Sequence, residues 1–396
     1  MNNILERKQN ETDFAYKYRL IMGKANKELY YSDLEWQDIV ELLGVNQHRD
    51  TLRKRGDAWK ELIEHIDETG LKQSNTEQIL ELKKQKIQLT DLKTETNKQI
   101  RNLARTESMI ELLKENIDSL NQMKPIVSNE FPNDVSHETE GNHAVLMLSD
   151  WHFGLEINNN INEFNPEICI KRVKKLTEKA IKHCKSNDVK CLHLYFLGDL
   201  ISGNIRNIIR LQNRCDVSTQ IIQVSELITE MIAKLSFEIP YITVHFCLGN
   251  HERSIAKKDD ALEVDTYMPL IKDFVELRTE KLNNVVIGDN SYGDWVIVNN
   301  ILGYTVVGTH GHYIKKEKAN NQLSNIIDTN IDYVCLGHFH QNMSLTEYKN
   351  QTYVNGSLCG SDEYSKQLML HTFPSQKLLI INKEDGIFAE YVLKVN

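Results

Sequence analysis

Four near-continuous apolar runs in residues 143–396 constrain the fold more than any other feature of the sequence. Long helical patterns near residues 165–186 and 217–238 separate the first three runs. Strands that are apolar on both faces and alternate with helices are typical of buried sheets. Residues 143–396 are therefore predicted to form an α/β sandwich, with hairpins at 295–311 and 375–395. The runs are HAVLMLSD (143–150), KCLHLYFLGD (190–199), YITVHFCLGN (241–250) and IDYVCLGH (331–338), and each ends in polar residues.

Residues 1–70 are predicted to form a small helical head, because all six prolines lie at or after Pro125. Ser32 and Glu35 have capping-box spacing, and the apolar residues that follow fall on one helical face. Gly44 can end this helix in a left-handed conformation. Asn46 can begin a second helix, and Gly56 with Asp57 is predicted to end it and to start a third.

The second of these helices is basic, and the pattern of helix, glycine turn and basic helix resembles a helix-turn-helix module. Residues 47–55 would then be the recognition helix that contacts DNA. The alternative is a three-helix bundle whose basic face is only hydrated. The candidate DNA-binding residues are Arg49, Arg53, Lys54 and Arg55.

Residues 75–122 are predicted to form a coiled coil and residues 123–142 a linker. Apolar residues recur there at seven-residue spacing, although Gln85, Gln99 and Thr106 interrupt the companion row. A parallel homodimer fits this pattern, and a single long helix or a hairpin packed on its own protein is the alternative. The linker has two prolines and many polar residues without periodicity. The main heptad row is Leu82, Leu89, Thr96, Leu103, Ile110 and Ile117.

Composition limits the environment and the partners of the chain. The seven cysteines have no CxxC spacing and cannot all pair, which argues against a disulfide framework or a cysteine-built zinc site and favours a reducing, intracellular (cytoplasmic) location. No apolar stretch approaches the roughly 20 residues of a membrane span, so no membrane partner is expected. The net charge of −9 excludes a general polyanion-coating surface, so any DNA contact must come from a local basic patch or from bound metal.

Potential metal ligands stand at five predicted strand ends. In an extended chain, the side chains of residues two positions apart point to the same side. Asp150 and His152 can therefore reach one ion, and so can His338 and His340. Burying so many imidazoles and carboxylates without a cation would be costly. The mixed nitrogen and oxygen set suits Mn²⁺, Fe or Zn²⁺ rather than Ca²⁺, and the number of ligands suits two ions. The ligand candidates are Asp150, His152, Asp199, Asn250, His310, His338 and His340.

The order of these blocks, D-x-H, G-D, G-N-H-E, a later H and G-H-x-H, resembles the calcineurin-like metallophosphoesterase superfamily over residues 145–360. The resemblance implies a four-layer α/β/β/α sandwich and two divalent metal ions, with Mn²⁺ expected first. It assigns Asp150, His152 and His340 to one ion. It assigns Asn250, His310 and His338 to the other, and it makes Asp199 the bridge.

The same resemblance makes His251 the catalytic general acid, which contacts the substrate phosphate and protonates the leaving oxygen. Glu252 is expected to orient His251. Asn204 and Arg253 are candidate phosphate contacts, although Asn204 could belong only to a turn. His312 either lines the site or lies on the surface.

A metal-dependent DNA nuclease or phosphodiesterase that uses a metal-activated water is the favoured function. The blocks LSDWHFG and LYFLGDLISG look more like the double-strand-break repair exonuclease branch than like the Ser/Thr phosphatase branch, and a dimeric DNA-binding head would anchor DNA beside the metals. One alternative is a phosphatase or phosphodiesterase acting on a nucleotide or a phosphoprotein. The other is a DNA-binding or assembly protein with a regulatory metal site. The combination of modules also suggests a phage protein.

Overall fold

The computed structural model describes most of the chain, and the described residues fall into two compact units, one within 1–105 and one within 106–396. Of the predicted coiled coil, only residues 83–84, 86–90 and 92–93 are described, and they are helical. The rest of it, the linker up to residue 140 and the cap assigned to Asn46 lie outside the described residues. The structure describes residues 5–45, 47–68, 83–84, 86–90, 92–93, 141–205, 207–255, 258, 261–347, 349–361 and 372–396.

The helices have recognisable start and stop signals. Thr12 caps α1 and Asn165 caps α4, each by accepting a hydrogen bond from a backbone N–H of the first turn. None of the described helices is both long and apolar enough to cross a membrane. In chain order the helices are α1 (Asp13–Ala25), α2 (Trp36–Leu43), α3 (Arg49–Glu68), α4 (Pro166–Ser186), α5 (Asn207–Gln212), α6 (Val217–Ser236), α7 (Met268–Thr279) and α8 (Ala319–Ile327).

The first unit contains α1, α2 and α3 around a small apolar core. The core is built from Leu20 and Ile21 of α1, Tyr31, Ile39 of α2 and Leu52 of α3. Helix α1 was not among the sequence predictions. The predicted helical face of α2 is confirmed, since its apolar residues pack on this core.

Two details of the predicted head are wrong. The first residue of α2 follows Glu35, whose backbone N–H donates to the carboxylate of Asp38, so Ser32 is not the cap. Residues 49–68 form one continuous helix rather than two, and Gly56 lies inside it, where it allows the close approach of Trp36. A Cβ at position 56 would lie 3.0 Å from the Trp36 ring. The left-handed end of α2 at Gly44 is confirmed, with φ of 60°.

The second unit contains two large mixed sheets. The first sheet has the order β13-β12-β1-β4-β5-β6, with β1, β4, β5 and β6 parallel and β12 antiparallel to β1. The second has the order β10-β11-β9-β8-β7. The strands are β1 (Asn142–Leu148), β2 (Ile157–Asn158), β3 (Glu163–Phe164), β4 (Val189–Phe196), β5 (Tyr241–Phe246), β6 (Val285–Ile287), β7 (Val296–Ile301), β8 (Tyr304–Thr309), β9 (Tyr333–Leu336), β10 (Met343–Glu347), β11 (Asn350–Val354), β12 (Ser375–Asn382) and β13 (Gly386–Lys394).

Three buried apolar clusters cover the faces of these sheets. Leu146 and its alternate neighbours on β1 pack with α4, α6 and α7. Val145 and Met147 of β1 point the other way and share a cluster with Ile297 and Cys335 of the second sheet. Helix α8 packs on the remaining face of the second sheet. Strands buried on both faces explain the continuous apolar runs of the sequence, and the predicted mixed α/β organisation and both hairpins are confirmed.

Candidate metal centre

Loops that directly follow β1, β4, β5, β8 and β9 bring the predicted ligands together at one edge of the two sheets. In the first group, His340 Nε2 lies 3.2 Å from Asp150 Oδ1 and 3.2 Å from His152 Nε2. Asp150 and His152 are buried, whereas His340 is partly exposed. This group combines one carboxylate and two imidazoles at distances suited to a shared cation.

The second group is centred on His310. The ring nitrogen Nδ1 of His310 donates to the backbone oxygen of Leu197 at 2.8 Å, which leaves Nε2 facing the site. Nε2 lies 3.1 Å from Asn250 Oδ1, 3.1 Å from His338 Nδ1 and 3.2 Å from Asp199 Oδ2. Several electron-pair donors thus converge on one another in a buried pocket.

Such a convergence needs a positive charge to be stable, and a divalent cation would supply it. The residues fit such an ion, because imidazole, carboxylate and amide donors from separate loops point at common positions. The combinations His152–Asp199–His251 and Asp199–His310–His338 each place their ligand atoms within 4.8 Å of one another. Asp199 is thus close both to His152 of the first group and to His310 and His338 of the second, which is where a carboxylate shared between two ions would stand.

Comparison with known proteins agrees with this geometry. A family model described as calcineurin-like phosphoesterase matches residues 143–342, slightly more than half of the chain. The chain belongs to the calcineurin-like phosphoesterase family. It is therefore a phosphoesterase by family, and members of the family usually bind divalent metals, for which this chain has the candidate His and Asp clusters.

The chain is also similar to individual relatives. It is 26% identical over 389 residues to the SPbeta prophage-derived protein YonJ of Bacillus subtilis (strain 168), covering 93% of each chain. An archaeal phosphodiesterase structure is 15% identical and covers 63% of this chain and 99% of its own, with a TM-score of 0.32. The zinc complex of Vps29 from Entamoeba histolytica is 13% identical and covers 64% of this chain and 99% of its own, with a TM-score of 0.31.

The backbone conformation of the metal-ligand candidates differs from the sequence prediction. Asp150, His152, Asp199, His338 and His340 all have φ between 48° and 66°. This left-handed region is uncommon for residues other than glycine and costs of order 1–3 kcal/mol each. The expected extended D-x-H and H-x-H geometry is therefore wrong, although the paired side chains still reach the same group. The surrounding packing must hold these ligands in place.

Glu252 is part of that support. It is completely buried, and its two carboxyl oxygens accept hydrogen bonds from the backbone N–H groups of Asp199 at 3.0 Å and Leu200 at 2.5 Å. The ring of His251 instead bonds through Nδ1 to the backbone oxygen of Ser202 at 2.8 Å. The expected contact between Glu252 and the ring of His251 is thus corrected, because Glu252 positions the loop that carries Asp199.

His251 lies at the opening of the centre. Its backbone N–H donates to Asp199 Oδ1 at 2.7 Å, and its Nε2 lies 4.0 Å from Asp199 Oδ2. The side chain is 18% exposed, whereas that of His310 is fully buried. The Nδ1 contact with Ser202 fixes the ring and leaves Nε2 directed at the site, where it can contact a bound phosphoester.

The electrostatics of the centre follow from burial and close charges. Burial raises the pKa of Asp150, but His340 and His310 outweigh it and hold the pKa at about 2. Burial lowers the pKa of His310, but the carboxylate of Asp199 outweighs it and raises the pKa to about 9. Burial, together with the charge of Asp199, raises the pKa of Glu252 to about 8. The carboxylates of the ligand groups are thus kept ionised for binding a cation.

His312, Asn204 and Arg253 are the remaining residues that were predicted to belong to the site. The ring of His312 lies 5.4 Å from that of His310, so it borders the second group. Asn204 follows Ser202 by two residues, and its buried Oδ1 has no hydrogen-bond partner among the described residues. The Nε of Arg253 donates to the carbonyl oxygen of Ile255 within its own loop.

In the helical head, the four predicted DNA-binding residues lie in the first part of α3. Arg49, Arg53 and Lys54 are exposed, and Arg55 is half-buried. They are displayed along a helix that continues well beyond the predicted recognition segment.

Sequence reasoning missed the support that residues 355–361 and β12 give to the first group. The backbone oxygen of Asp150 accepts from Ser357 Oγ at 3.0 Å and from the N–H of Leu358 at 3.1 Å. Gln376 accepts from the N–H of Ser149 at 2.9 Å. The thiol of Cys359 lies within 4.8 Å of the ring nitrogens of His152 and His340. The glycine- and serine-containing segment YVNGSLCG (353–360) is the sequence feature through which this support could have been found.

Proposed function

We propose that this phosphoesterase uses two metal ions to hydrolyse phosphodiester bonds in DNA. The observation that carries the proposal is the convergence of Asn250, His338 and Asp199 on Nε2 of His310, next to the Asp150 group. One ion would be held by Asp150, His152 and His340, and the other by Asn250, His310 and His338. Asp199 would contribute to both. Mn²⁺ is the favoured metal, with Fe and Zn²⁺ compatible with the same donor set.

Bound cations at this centre would supply the charge that activates a water and offsets the charge of the phosphoryl oxygens. The chain's own residues would then hold the site in position and protonate the leaving oxygen. Ser202 and Asp199 fix the ring and the backbone of His251, so that Nε2 can donate a proton to the leaving oxygen. General acid catalysis of this kind contributes about 10²–10⁴-fold. Glu252 keeps the Asp199 loop in the conformation that this arrangement needs.

The preference for DNA rests on the helical head and on the sequence blocks near the centre. Arg49, Arg53 and Lys54 on α3 would contact DNA phosphates in a helix-turn-helix arrangement, with Arg55 beside them. Residues 75–122 would pair two chains through a parallel coiled coil and so present two heads. These features favour the double-strand-break repair exonuclease branch of the family. The prophage origin of the Bacillus relative supports a phage-encoded protein that acts inside the cell.

For the catalytic unit, residues 143–396, we propose the four-layer α/β/β/α arrangement. The three apolar clusters support it, because they separate helices, sheet, sheet and helix in that order. In this arrangement the metal ligands stand at the edge where both sheets end, and the contacts to DNA would be made from that edge.

The test is a comparison of Mn²⁺-dependent cleavage of single-stranded DNA, duplex ends, cyclic nucleotides and a phosphoprotein. The wild type should cleave DNA fastest, and His251→Ala should slow that cleavage by about 10²–10⁴-fold without loss of bound metal. His183→Ala is the matched control, because His183 lies on α4 and packs against Tyr391. If only the nucleotides or the phosphoprotein were cleaved, they and not DNA would be the substrate. No cleavage at all would favour an assembly protein with a regulatory metal site.

A further inference from the structure

A second cluster of metal-ligand side chains lies at the opposite end of the first sheet. His143 begins β1, and Cys191 and His193 stand near the start of β4, where His143 and Cys191 are direct partners in the parallel register. Their exposures are 2%, 1% and 8%. His143 precedes Asp150 by seven residues, which in a strand corresponds to roughly 20 Å. The cluster is therefore separate from the phosphoesterase centre.

Two of the three ligand separations in this cluster are close to those of a tetrahedral zinc site. His143 Nδ1 lies 3.1 Å from His193 Nε2, and Cys191 Sγ lies 3.5 Å from the same nitrogen. Zn–N bonds of about 2.05 Å and Zn–S bonds of about 2.3 Å at tetrahedral angles give ligand separations of about 3.3 Å for N–N and about 3.5 Å for S–N. All three ligand atoms lie within 4.8 Å of one another.

The ring of His193 is oriented as a ligand would be. Its Nδ1 lies 2.8 Å from the hydroxyl of Thr243 on the neighbouring strand β5. When Nδ1–H donates to that hydroxyl, the lone pair of Nε2 faces both His143 and the thiol of Cys191. An oxygen partner on the far nitrogen is the usual companion of a metal-bound histidine, because it fixes the tautomer and the ring plane.

We propose that His143, Cys191 and His193 bind a structural zinc ion, with water completing the coordination. The thiol of Cys191 would lose its proton to solvent on binding, since thiolate is the form that ligates zinc. The site would join the starts of β1 and β4, with Thr243 on β5 as the orienting partner. Two imidazoles and one thiolate favour zinc over the oxygen-preferring ions Mg²⁺ and Ca²⁺. The proposal does not depend on the reaction at the other end of the sheet.

Cobalt(II) titration of the metal-free, full-length protein tests this site, because a thiolate ligand gives a sulfur-to-cobalt charge-transfer band. The band should appear in the wild type and disappear in Cys191→Ser. It should persist in Cys359→Ser, which removes the thiol near the phosphoesterase centre, and in Cys184→Ser, which changes a buried cysteine of the helix-facing core. Zinc should also raise the melting temperature of the wild type more than that of His143→Gln.

Absence of the band in the wild type, its persistence in Cys191→Ser or its loss in Cys359→Ser would overturn the proposal. If Cys191→Ser does not fold, zinc-edge X-ray absorption of the Cys359→Ser protein decides instead. A zinc–sulfur distance of about 2.3 Å supports the site, and a shell of nitrogen and oxygen alone overturns it.

Discussion

Replacing Gly203 by alanine should displace His251 while leaving its side chain unchanged. Gly203 has φ of 64°, and an added Cβ would lie 2.0 Å from the backbone oxygen of His251. Atoms of these types need about 1 Å more than this, so one of the two loops must move. The loop of Gly203 is held by Gln220, which accepts from its N–H at 2.9 Å, and by Asn213, which donates to its carbonyl at 2.6 Å. We therefore expect the His251 loop to move.

A displacement of this size should lower kcat by about 10²-fold, the loss that a 1 Å misplacement at an active site can produce. The assay compares a DNA phosphodiester, whose leaving oxygen needs a proton, with a nitrophenyl phosphodiester, whose leaving group does not. If His251 is the proton donor, the DNA substrate should be affected far more strongly. Bound metal is measured in the same samples, because the His251 loop also carries the ligand Asn250, and kcat is compared at equal metal content.

Gly303→Ala is the matched control. Gly303 lies in the turn between β7 and β8, also has positive φ (97°), and has nothing within 4 Å of an added Cβ. It reproduces the backbone strain of the substitution without the collision, so its kcat should stay near that of the wild type. Unchanged kcat in Gly203→Ala, or equal losses on both substrates, would refute the placement of His251.

Three further results are expected. Lys377→Met should lower the free energy of unfolding by about 2 kcal/mol in urea denaturation, because it leaves a partly buried carbonyl and the carboxylate of Glu390 without their shared donor. Asp216→Ala should cost about 1 kcal/mol, because Asp216 caps α6. Hydrogen bonds in that first turn outweigh burial and lower the pKa of Asp216, so its contribution is full above the ordinary carboxyl pKa and is lost as pH falls through the lowered value. The difference between Asp216→Ala and wild type in chemical denaturation should shrink in acid. Arg53→Glu with Lys54→Glu should weaken DNA binding and flatten its salt dependence, measured by fluorescence anisotropy, while cleavage of a nitrophenyl ester stays constant.

The meeting of polar residues at the strand ends could be predicted from the sequence, because one physical rule governs where those ends lie. Continuous apolar runs identify strands buried on both faces, and the carboxyl ends of parallel strands meet at one edge of a sheet. Polar residues placed directly after such runs, as at Asp199 and Asn250, were therefore expected to meet. The structure brings them together as that rule requires.

The local geometry could not be predicted in the same way. The left-handed conformations at Asp150 and His338 depend on hydrogen bonds from distant segments, such as the one from Ser357 to the Asp150 carbonyl. The partners of Glu252 are backbone N–H groups, which every residue except proline has and which leave no pattern in a sequence. Gly56 was interpreted as a helix end because its close contact with Trp36 is a tertiary feature.

Anomalous X-ray scattering from Mn²⁺-loaded crystals measures directly whether two cations share the centre around Asp199. We expect two peaks about 3.5–4 Å apart, with Asp199 in contact with both. One peak should also contact His340 and the other His310. A single peak, or peaks that leave the ring of His310 unbound, would contradict this expectation.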